Sequence, residues 1–415
     1  MIVPSGPPLC GGAVHQSFTR HADSGIAGAA HFLCYPARLE RLGNEIVKLD
    51  KVCRAFVAAT LTGLVVAGCG SDNNLGGKAI TPGAATGRVN CGGKNQLTAE
   101  GSTAQENAMT LFNQAWGRLC PGKKVAYDPT GSGAGREQFV YGHVDFAGAD
   151  APLETQQIEL AVKRCRGNAA WHLPMVFGPI AVAYHLHGVN PLVVNADMLA
   201  KIFSGAITMW DDPAIAALNR GVSLPKMKIV PIYRSDSSGT TDNFQRYLTS
   251  AAPQAWTKGV GTEFQGGVGE GAQRSAGLLQ AVQSTPGAIG YVEKSFADQA
   301  GVPYAQIDSG SGAVALTEGG ARKAIDDAMF AGQGNDLVLD LDSMYAMNKA
   351  GVYPLILATY EIVCSKGYDH STSAAVTSFL TVAASNGQSG LSPAGYVPLP
   401  NKFKERLLTA ISAIQ

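Results

Sequence analysis

The chain lacks any imbalance of charge. Its 415 residues contain 32 Lys and Arg against 32 Asp and Glu, so the formal net charge is +0. Because proteins that bind nucleic acid usually carry a basic excess, the composition offers no case for a nucleic-acid partner. An apolar content of 46% with 15% charged residues is typical of a globular protein with a sizeable core, and the length allows two domains.

The apolar stretch that begins at Ala55, just after several basic residues, is too short to span a membrane. The apolar stretch 55–67 has 13 residues, which suits the core of a signal peptide rather than a transmembrane helix. It ends in Val66-Ala67-Gly68-Cys69, which resembles a bacterial lipobox. We therefore expect cleavage before Cys69, lipid on its sulfur and a polar, Gly-rich tether after it. The alternative is a buried strand followed by a chance cysteine.

The residues before Val47 do not fit this signal peptide. Signal peptides begin with a short basic segment, yet 46 residues precede Val47, and they show no sustained periodicity. We therefore expect translation to start at Val47, from an alternative start codon. The expected organisation is a presequence and signal peptide over 1–68 and a flexible tether over 69–89.

Three segments place hydroxyl groups and glycines where a strand pattern gives way to a helix pattern. They are Ala99–Ala104, Thr130–Arg136 and Arg234–Thr241. A helix N-terminus presents free N–H groups and a partial positive charge, and Arg234 adds a planar fork of donors, so these segments can bind an anion. Singly, each could equally be a flexible loop or a helix cap beside a surface arginine. Their repetition favours an anion site.

A carboxylate belongs to the same pattern. Asp150 follows a short apolar run, 144–149, and stands just before Pro152. A carboxylate beside an anion is repulsive unless the anion carries a proton that the carboxylate can accept. Phosphate carries such a proton and fully ionised sulfate does not, so Asp150 predicts selectivity between them. The alternative is that Asp150 caps a following helix over 153–161.

Strand-like runs alternate with helical patterns along the rest of the chain. The runs are 96–99, 125–127, 144–147, 176–184, 229–233, 289–291 and 355–363. This alternation predicts an α/β fold with mainly parallel sheets flanked by helices. The anion-binding segments lie just after strands, which is where open α/β sheets bind their ligands.

These motifs, in this order, resemble the PstS phosphate-binding proteins of bacterial phosphate ABC transporters, in particular their mycobacterial lipoprotein branch. The resemblance runs from about Leu97 to the C-terminus. It includes three segments with no obvious chemistry: Phe203–Ile215, Thr285–Glu293 and Leu357–Val363. It implies a two-lobed periplasmic-binding-protein fold of type II. Residues 90–175 and 355–415 would form lobe I and 176–354 lobe II, with crossover strands near 177–183 and 355–362 as the hinge.

The resemblance also implies a set of phosphate ligands. These are Thr103, the Ala104 N–H, Ser132, Asp150 as proton acceptor, Arg234 as the one cation, Ser238, Gly239 and Thr240. Family members often carry Phe at the Ala104 position, but a main-chain contact should tolerate the change. Ser102 and Asp236 are expected to support the site, Asp236 by pairing with Arg234.

The cysteines predict covalent links in an exported protein. Those that remain beyond the presequence and the lipidated Cys69 are Cys91, Cys120, Cys165 and Cys364. Four cysteines allow three pairings. Cys91 opens the first strand and Cys120 precedes the second, and neighbouring strand starts favour the pair Cys91–Cys120, hence Cys165–Cys364. The spacing lacks a CxxC motif or a histidine partner, so we expect no metal.

The implied function is that of a monomeric receptor without cofactor. It would sit on the extracytoplasmic face of the cell membrane, anchored by the lipid on Cys69, and deliver inorganic phosphate to the permease subunits of an ABC transporter. A receptor for another oxyanion and a phosphate-ester hydrolase of similar fold remain as alternatives. Against the hydrolase, Ser102, Ser132 and Ser238 have no His or Lys at motif spacing to activate them, and no two-metal carboxylate cluster is apparent.

Overall fold

A computed structural model describes residues 89–415 of the chain. The expectations for the presequence, the start at Val47, Cys69 and the tether up to residue 88 lie outside the described residues. Within them, strands and helices alternate as the sequence predicts. The strands are β1 (Gln96–Gly101), β2 (Lys124–Asp128), β3 (Phe146–Ala149), β4 (Ala170–Tyr184), β5 (Val193–Val194), β6 (Val230–Arg234), β7 (Glu270–Ala272), β8 (Ala288–Glu293), β9 (Gln306–Asp308), β10 (Ala313–Val314) and β11 (Ile356–Cys364).

The helices follow the strands closely in sequence. They are α1 (Glu106–Leu119), α2 (Ser132–Val140), α3 (Thr155–Arg164), α4 (Ala196–Phe203), α5 (Pro213–Leu218), α6 (Gly239–Ala251), α7 (Arg274–Ser284), α8 (Lys294–Ala300), α9 (Glu318–Asp326), α10 (Leu341–Tyr345), α11 (His370–Ala384) and α12 (Asn401–Ser412). The amphipathic pattern of α1 buries Phe112 and Trp116, and the Trp116 ring meets Phe379 of α11 edge-on at 5.3 Å between centroids. Helices therefore cover the sheet through their apolar faces.

Eight of these strands form one sheet in the order β2-β1-β3-β11-β4-β8-β6-β7. The pairs β2-β1, β1-β3, β8-β6 and β6-β7 are parallel, and the three central pairs are antiparallel. The predicted α/β fold is thus confirmed. Its parallel character resides in the two outer parts of the sheet, because two long strands run through the centre in opposite directions.

The central strands β4 and β11 connect the two parallel parts. The first half of β4 pairs with β11, from Ala170 opposite Cys364 to Pro179 opposite Ile356, and its second half pairs with β8. The predicted crossover segment 177–183 lies in β4, and the segment 355–362 lies in β11 apart from Leu355, which precedes that strand. All nine residues of β11 are buried. Strands buried on both faces read as continuous apolar runs, which is why both were visible in the sequence.

Two disulfides tie the described residues together, and their pairing confirms the prediction. Cys91 bonds to Cys120, with Cα atoms 5.4 Å apart, and Cys165 bonds to Cys364, with Cα atoms 5.3 Å apart. The first joins the segment before β1 to the end of α1, just before β2. The second joins the end of α3 to the end of β11, across 199 residues of sequence.

Candidate functional site

The structure brings the predicted ligand residues together in a buried cluster between the two parallel parts of the sheet. The carboxyl ends of β1, β2 and β3 meet at one edge, and the end of β6 faces them. The side chains of Thr103, Ser132, Asp150, Arg234 and Thr240 are each at most 2% exposed. Gly101 lets the end of β1 lie close against β3. Its φ is +138°, and a Cβ there would lie 2.0 Å from the Gly148 carbonyl oxygen.

The Asp150 carboxylate is the centre of this cluster. Its Oδ1 accepts hydrogen bonds from Ser102 Oγ at 2.7 Å and Thr359 Oγ1 at 2.6 Å. Its Oδ2 accepts from Ser132 Oγ at 3.0 Å and lies 2.8 Å from Ser102 Oγ. The alternative role as a helix cap is wrong, because α3 begins at Thr155 and Glu154 caps it.

Burial and hydrogen bonding act in opposite directions on Asp150. Burial raises the pKa of its carboxyl to about 6, the hydroxyls of Thr359, Ser102 and Ser132 oppose that rise, and the nearby Glu293 adds to it. The group is therefore mostly ionised at neutral pH, although it is only 2% exposed. An ionised carboxylate is a hydrogen-bond acceptor and not a donor, so any anion placed here must supply the hydrogen.

Arg234 enters from the opposite side, at the end of β6. Its Nε donates to Asp236 Oδ1 at 2.8 Å and its Nη2 donates to Asp236 Oδ2, which forms a bidentate pair. Burial raises the pKa of Asp236, but the hydrogen bonds and charge of Arg234 hold it below its ordinary value. The Arg234 side chain is 2% exposed, so the alternative of a surface arginine is wrong.

The start of α6 faces Asp150 directly. Ser238 caps this helix by accepting from the Thr241 N–H at 3.3 Å. A Cβ on Gly239 would lie 2.4 Å from Ser132 Oγ and 2.6 Å from Asp150 Oδ2. Only glycine fits there, because the backbone of α6 approaches the carboxylate so closely. The Thr240 hydroxyl donates to the Glu293 carboxylate at the end of β8.

The Gly-rich segment before α2 packs against the segment before α6. The Gly133 N–H donates to the Ser237 carbonyl oxygen at 3.0 Å. A Cβ on Gly133 would lie 2.0 Å from Ser237 Oγ, and Gly131 has a φ of +115°. These glycines allow the starts of α2 and α6 to pack closely against each other, so this segment is not simply a flexible loop.

Sequence reasoning missed several residues of the cluster. Thr359 and Glu293 lie in the segments that had no obvious chemistry. Asn243 donates to the Asp150 carbonyl oxygen at 2.7 Å, from the second turn of α6. Ser275 follows β7 at the start of α7, so the rule of a hydroxyl at a strand-to-helix junction could have found it.

A β-bulge explains how Thr359 reaches Asp150. In the β4–β11 pair, Thr359 lies opposite Val176 and Tyr360 lies opposite Pro174, which leaves Met175 without a partner. Pro174 has no N–H to give the ladder, and bulges of this kind re-aim neighbouring side chains. Such a register shift depends on both strands at once and leaves no signature in either one alone.

Glu361 is a second buried carboxyl behind Asp150. It shares a strand face with Thr359, and within residues 89–415 neither of its oxygens makes a hydrogen bond of normal geometry. Burial raises its pKa to about 8, the Gln105 amide partly offsets that rise, and the charge of Asp150 adds to it. Glu361 is therefore mostly protonated at neutral pH, which avoids a second negative charge beneath the site.

This elevated pKa predicts a pH-dependent stability. The folded state keeps the Glu361 proton up to about pH 8, whereas the unfolded chain loses it near 4.5, the ordinary pKa of a glutamate. The free energy of unfolding should thus fall as pH rises between these values. In Glu361→Gln the melting temperature should decline less with pH than in the wild type, most visibly between about pH 5 and 8. Exposed Glu405→Gln is the control, and parallel curves for Glu361→Gln and wild type would contradict the assignment.

Within residues 89–415, no group of three or more His, Cys, Asp or Glu side chains is arranged to hold a metal ion. Among the same residues, no helix combines the length and the apolar character needed to cross a bilayer.

Comparisons with known proteins identify the family of the chain. Residues 83–386 match the model of the PBP superfamily domain. The chain is 48% identical over 370 residues to phosphate-binding protein PstS 3 of Mycobacterium tuberculosis, which covers 89% of this chain and 100% of that protein. It is 46% identical over 371 residues to phosphate-binding protein PstS 2 of the same species, covering 88% and 100%.

Solved structures share the fold at low identity. A putative phosphate ABC transporter substrate-binding protein with bound phosphate from Clostridium perfringens superposes with a TM-score of 0.54 at 18% identity, covering 74% of this chain and 100% of that one. A phosphate-binding protein from Stenotrophomonas maltophilia gives 0.58 at 19% identity, covering 76% and 94%. On the match to the superfamily model and the identity to its mycobacterial relatives, the chain belongs to the PstS family of phosphate-binding proteins.

Proposed function

We propose that this protein is the extracytoplasmic receptor that captures inorganic phosphate and delivers it to the membrane permease of an ABC transporter. One observation carries the proposal. The buried carboxylate of Asp150 accepts hydrogen bonds from neutral hydroxyl donors, those of Ser102, Ser132 and Thr359. This combination suits an oxyanion that keeps a proton near neutral pH. The printed names of the PstS relatives support the same ligand.

The proposed ligand set is the one that the family resemblance implied. It comprises Thr103, the Ala104 N–H, Ser132, Asp150, Arg234, Ser238, the Gly239 N–H and Thr240. Within it, Asp150 Oδ2 is the oxygen that would accept the P–OH hydrogen, because it faces the start of α6, whereas Oδ1 is engaged by Ser102 and Thr359. Ser132 Oγ, now donating to Oδ2 at 3.0 Å, would turn its hydrogen to a phosphate oxygen.

A two-lobe division would allow the site to close around the ligand. We assign residues 90–175 and 355–415 to lobe I and 176–354 to lobe II, with β4 and β11 as the crossover strands. The Gly133–Ser237 and Asp150–Asn243 hydrogen bonds would then join the two lobes. Phosphate contacted from both sides stabilises the closed arrangement by its greater affinity for that state, and opening would release it to the permease.

The location follows from the N-terminal motifs rather than from the fold. A lipid on Cys69 would hold the receptor at the outer face of the cell membrane, and the segment after it would act as a tether. A phosphate-ester hydrolase is the weaker alternative. The hydroxyls of Ser102 and Ser132 donate to Asp150 rather than contacting a histidine or lysine that could activate them.

Calorimetric titration of the phosphate-stripped protein tests the proposal. We expect one-to-one binding of phosphate at pH 7.5 and no detectable heat with sulfate, because sulfate has no hydrogen for Asp150. Binding of both anions would leave an oxyanion receptor without the proposed selectivity. Binding of neither, together with turnover of a chromogenic phosphate ester, would support the hydrolase instead.

The charge of Asp150 can be tested separately from its shape. In Asp150→Asn the amide can donate to a fully ionised oxygen, so the ratio of phosphate to sulfate affinity should fall and sulfate should bind. The wild type should show the same change below about pH 6, where Asp150 gains a proton. Exposed Asp197→Asn is the matched control. If Asp150→Asn still excludes sulfate, the carboxylate is not the group that discriminates.

The close approach of α6 gives a second mutational test. In Gly239→Ala the added Cβ would lie 2.4 Å from Ser132 Oγ, so the helix start must move away from Asp150. Because overpacking costs about 1–3 kcal/mol, phosphate affinity should fall by about tenfold or more. Gly277→Ala in α7 is the control. Its Cβ meets nothing within 4 Å, so affinity should be unchanged. Full affinity in Gly239→Ala would remove the start of α6 from the ligand set.

A further inference from the structure

Ser275 joins two proposed ligand side chains that come from opposite ends of the sheet. Its Oγ lies 2.7 Å from Thr103 Oγ1, which follows β1, and 3.2 Å from Arg234 Nη1, at the end of β6. In the sheet, β1 is second from one end, whereas β7, which precedes Ser275, is the last strand at the other end. The Ser275 side chain is 1% exposed.

The protons of this trio can be counted. A guanidinium only donates, so Ser275 Oγ must accept from Arg234. In the hydrogen bond between Ser275 and Thr103, one of the two hydroxyls must donate its proton to the other. If Ser275 supplies it, the Thr103 proton is left for the anion, as the proposed ligand role of Thr103 requires. The chain of donation then runs from Arg234 through Ser275 to Thr103, and each bond in such a chain polarises the next.

The position of Ser275 is itself held by the site. The preceding residue, Arg274, has a φ of +62°, which is uncommon for a residue with a side chain. Its N–H donates to Asp236 Oδ1 at 2.8 Å, so the carboxylate that orients Arg234 also holds the entry to α7. Ser275 does not cap this helix, because the cap position is Gln273. Both hydrogen bonds of its hydroxyl go to the proposed ligand set.

We propose that Ser275 is a positioning residue of the oxyanion site, which links Arg234 to Thr103 across the cluster and fixes the Thr103 hydroxyl as a donor to the bound phosphate. This inference rests on the proposed function. It adds a residue from a segment that neither the motifs nor the family resemblance had assigned to the ligand set. It also means that the Arg234 charge reaches the anion by two routes, directly and through two hydroxyls.

The test is calorimetry with inorganic phosphate on Ser275→Ala. Loss of the hydroxyl leaves a buried Arg234 N–H without an acceptor and frees Thr103 to rotate. We expect the dissociation constant to rise about ten- to a hundredfold, the range for a hydrogen bond to a charged group. Ser284→Ala, at the exposed end of the same helix, is the matched control and should bind as the wild type does. An unchanged dissociation constant in Ser275→Ala would overturn the inference.

A double-mutant cycle distinguishes positioning from a general structural effect. If Ser275 acts through Thr103, adding Ser275→Ala to Thr103→Val should cause little further loss of phosphate affinity. The effects of the two substitutions will then not add. Additive losses would overturn the inference. Ser275→Cys, which keeps the side-chain shape with a weaker hydrogen-bonding group, supplies the comparison if Ser275→Ala is unstable. It should show the same coupling. Loss of phosphate binding in the wild type itself would instead refute the proposed function.

Discussion

The buried charge of Asp150 is the constraint on which the rest of the site depends. An ionised carboxylate inside a protein is costly unless hydrogen bonds satisfy it, and here hydroxyls from three separate parts of the chain do so. Ser102 follows β1, Ser132 begins α2 and Thr359 lies in β11. The order β2-β1-β3-β11 in the sheet is what places the three beside the end of β3, because Ser132 follows β2. The fold therefore serves to gather donors around one acceptor.

The features of this site that depend on neighbouring residues could be predicted from the sequence. Hydroxyls and glycines at strand-to-helix junctions, and a carboxylate after an apolar run, are patterns of neighbouring residues, so Ser132, Asp150, Arg234 and the start of α6 could be singled out. The strand alternation predicted the fold class, and the starts of β1 and β2 predicted the pairing of Cys91 with Cys120. In each case the physical cause acts over a few residues.

The parts that could not be predicted depend on distant pairs. Thr359 reaches Asp150 only because a bulge opposite Pro174 shifts the register of two strands that are far apart in sequence. Glu293 meets Thr240 only because β8 lies beside β6. Glu361 is the one charged residue in the otherwise uncharged strand β11. Its raised pKa follows from burial behind Asp150, which no local pattern encodes.

The balance of charge explains how such a site can bind an anion selectively. The positive charge of Arg234 is balanced by its partner Asp236, and Asp150 adds a further carboxylate to the site. Net charge therefore does not attract the anion. Attraction must come from oriented donors: hydroxyls, helix N–H groups and an arginine fork whose direction is set by its partner. A site built on net positive charge would take any dianion. The selectivity of a site built from oriented donors and a single acceptor depends on whether the ligand can donate a hydrogen to that acceptor. Phosphate can do so near neutral pH, and sulfate cannot.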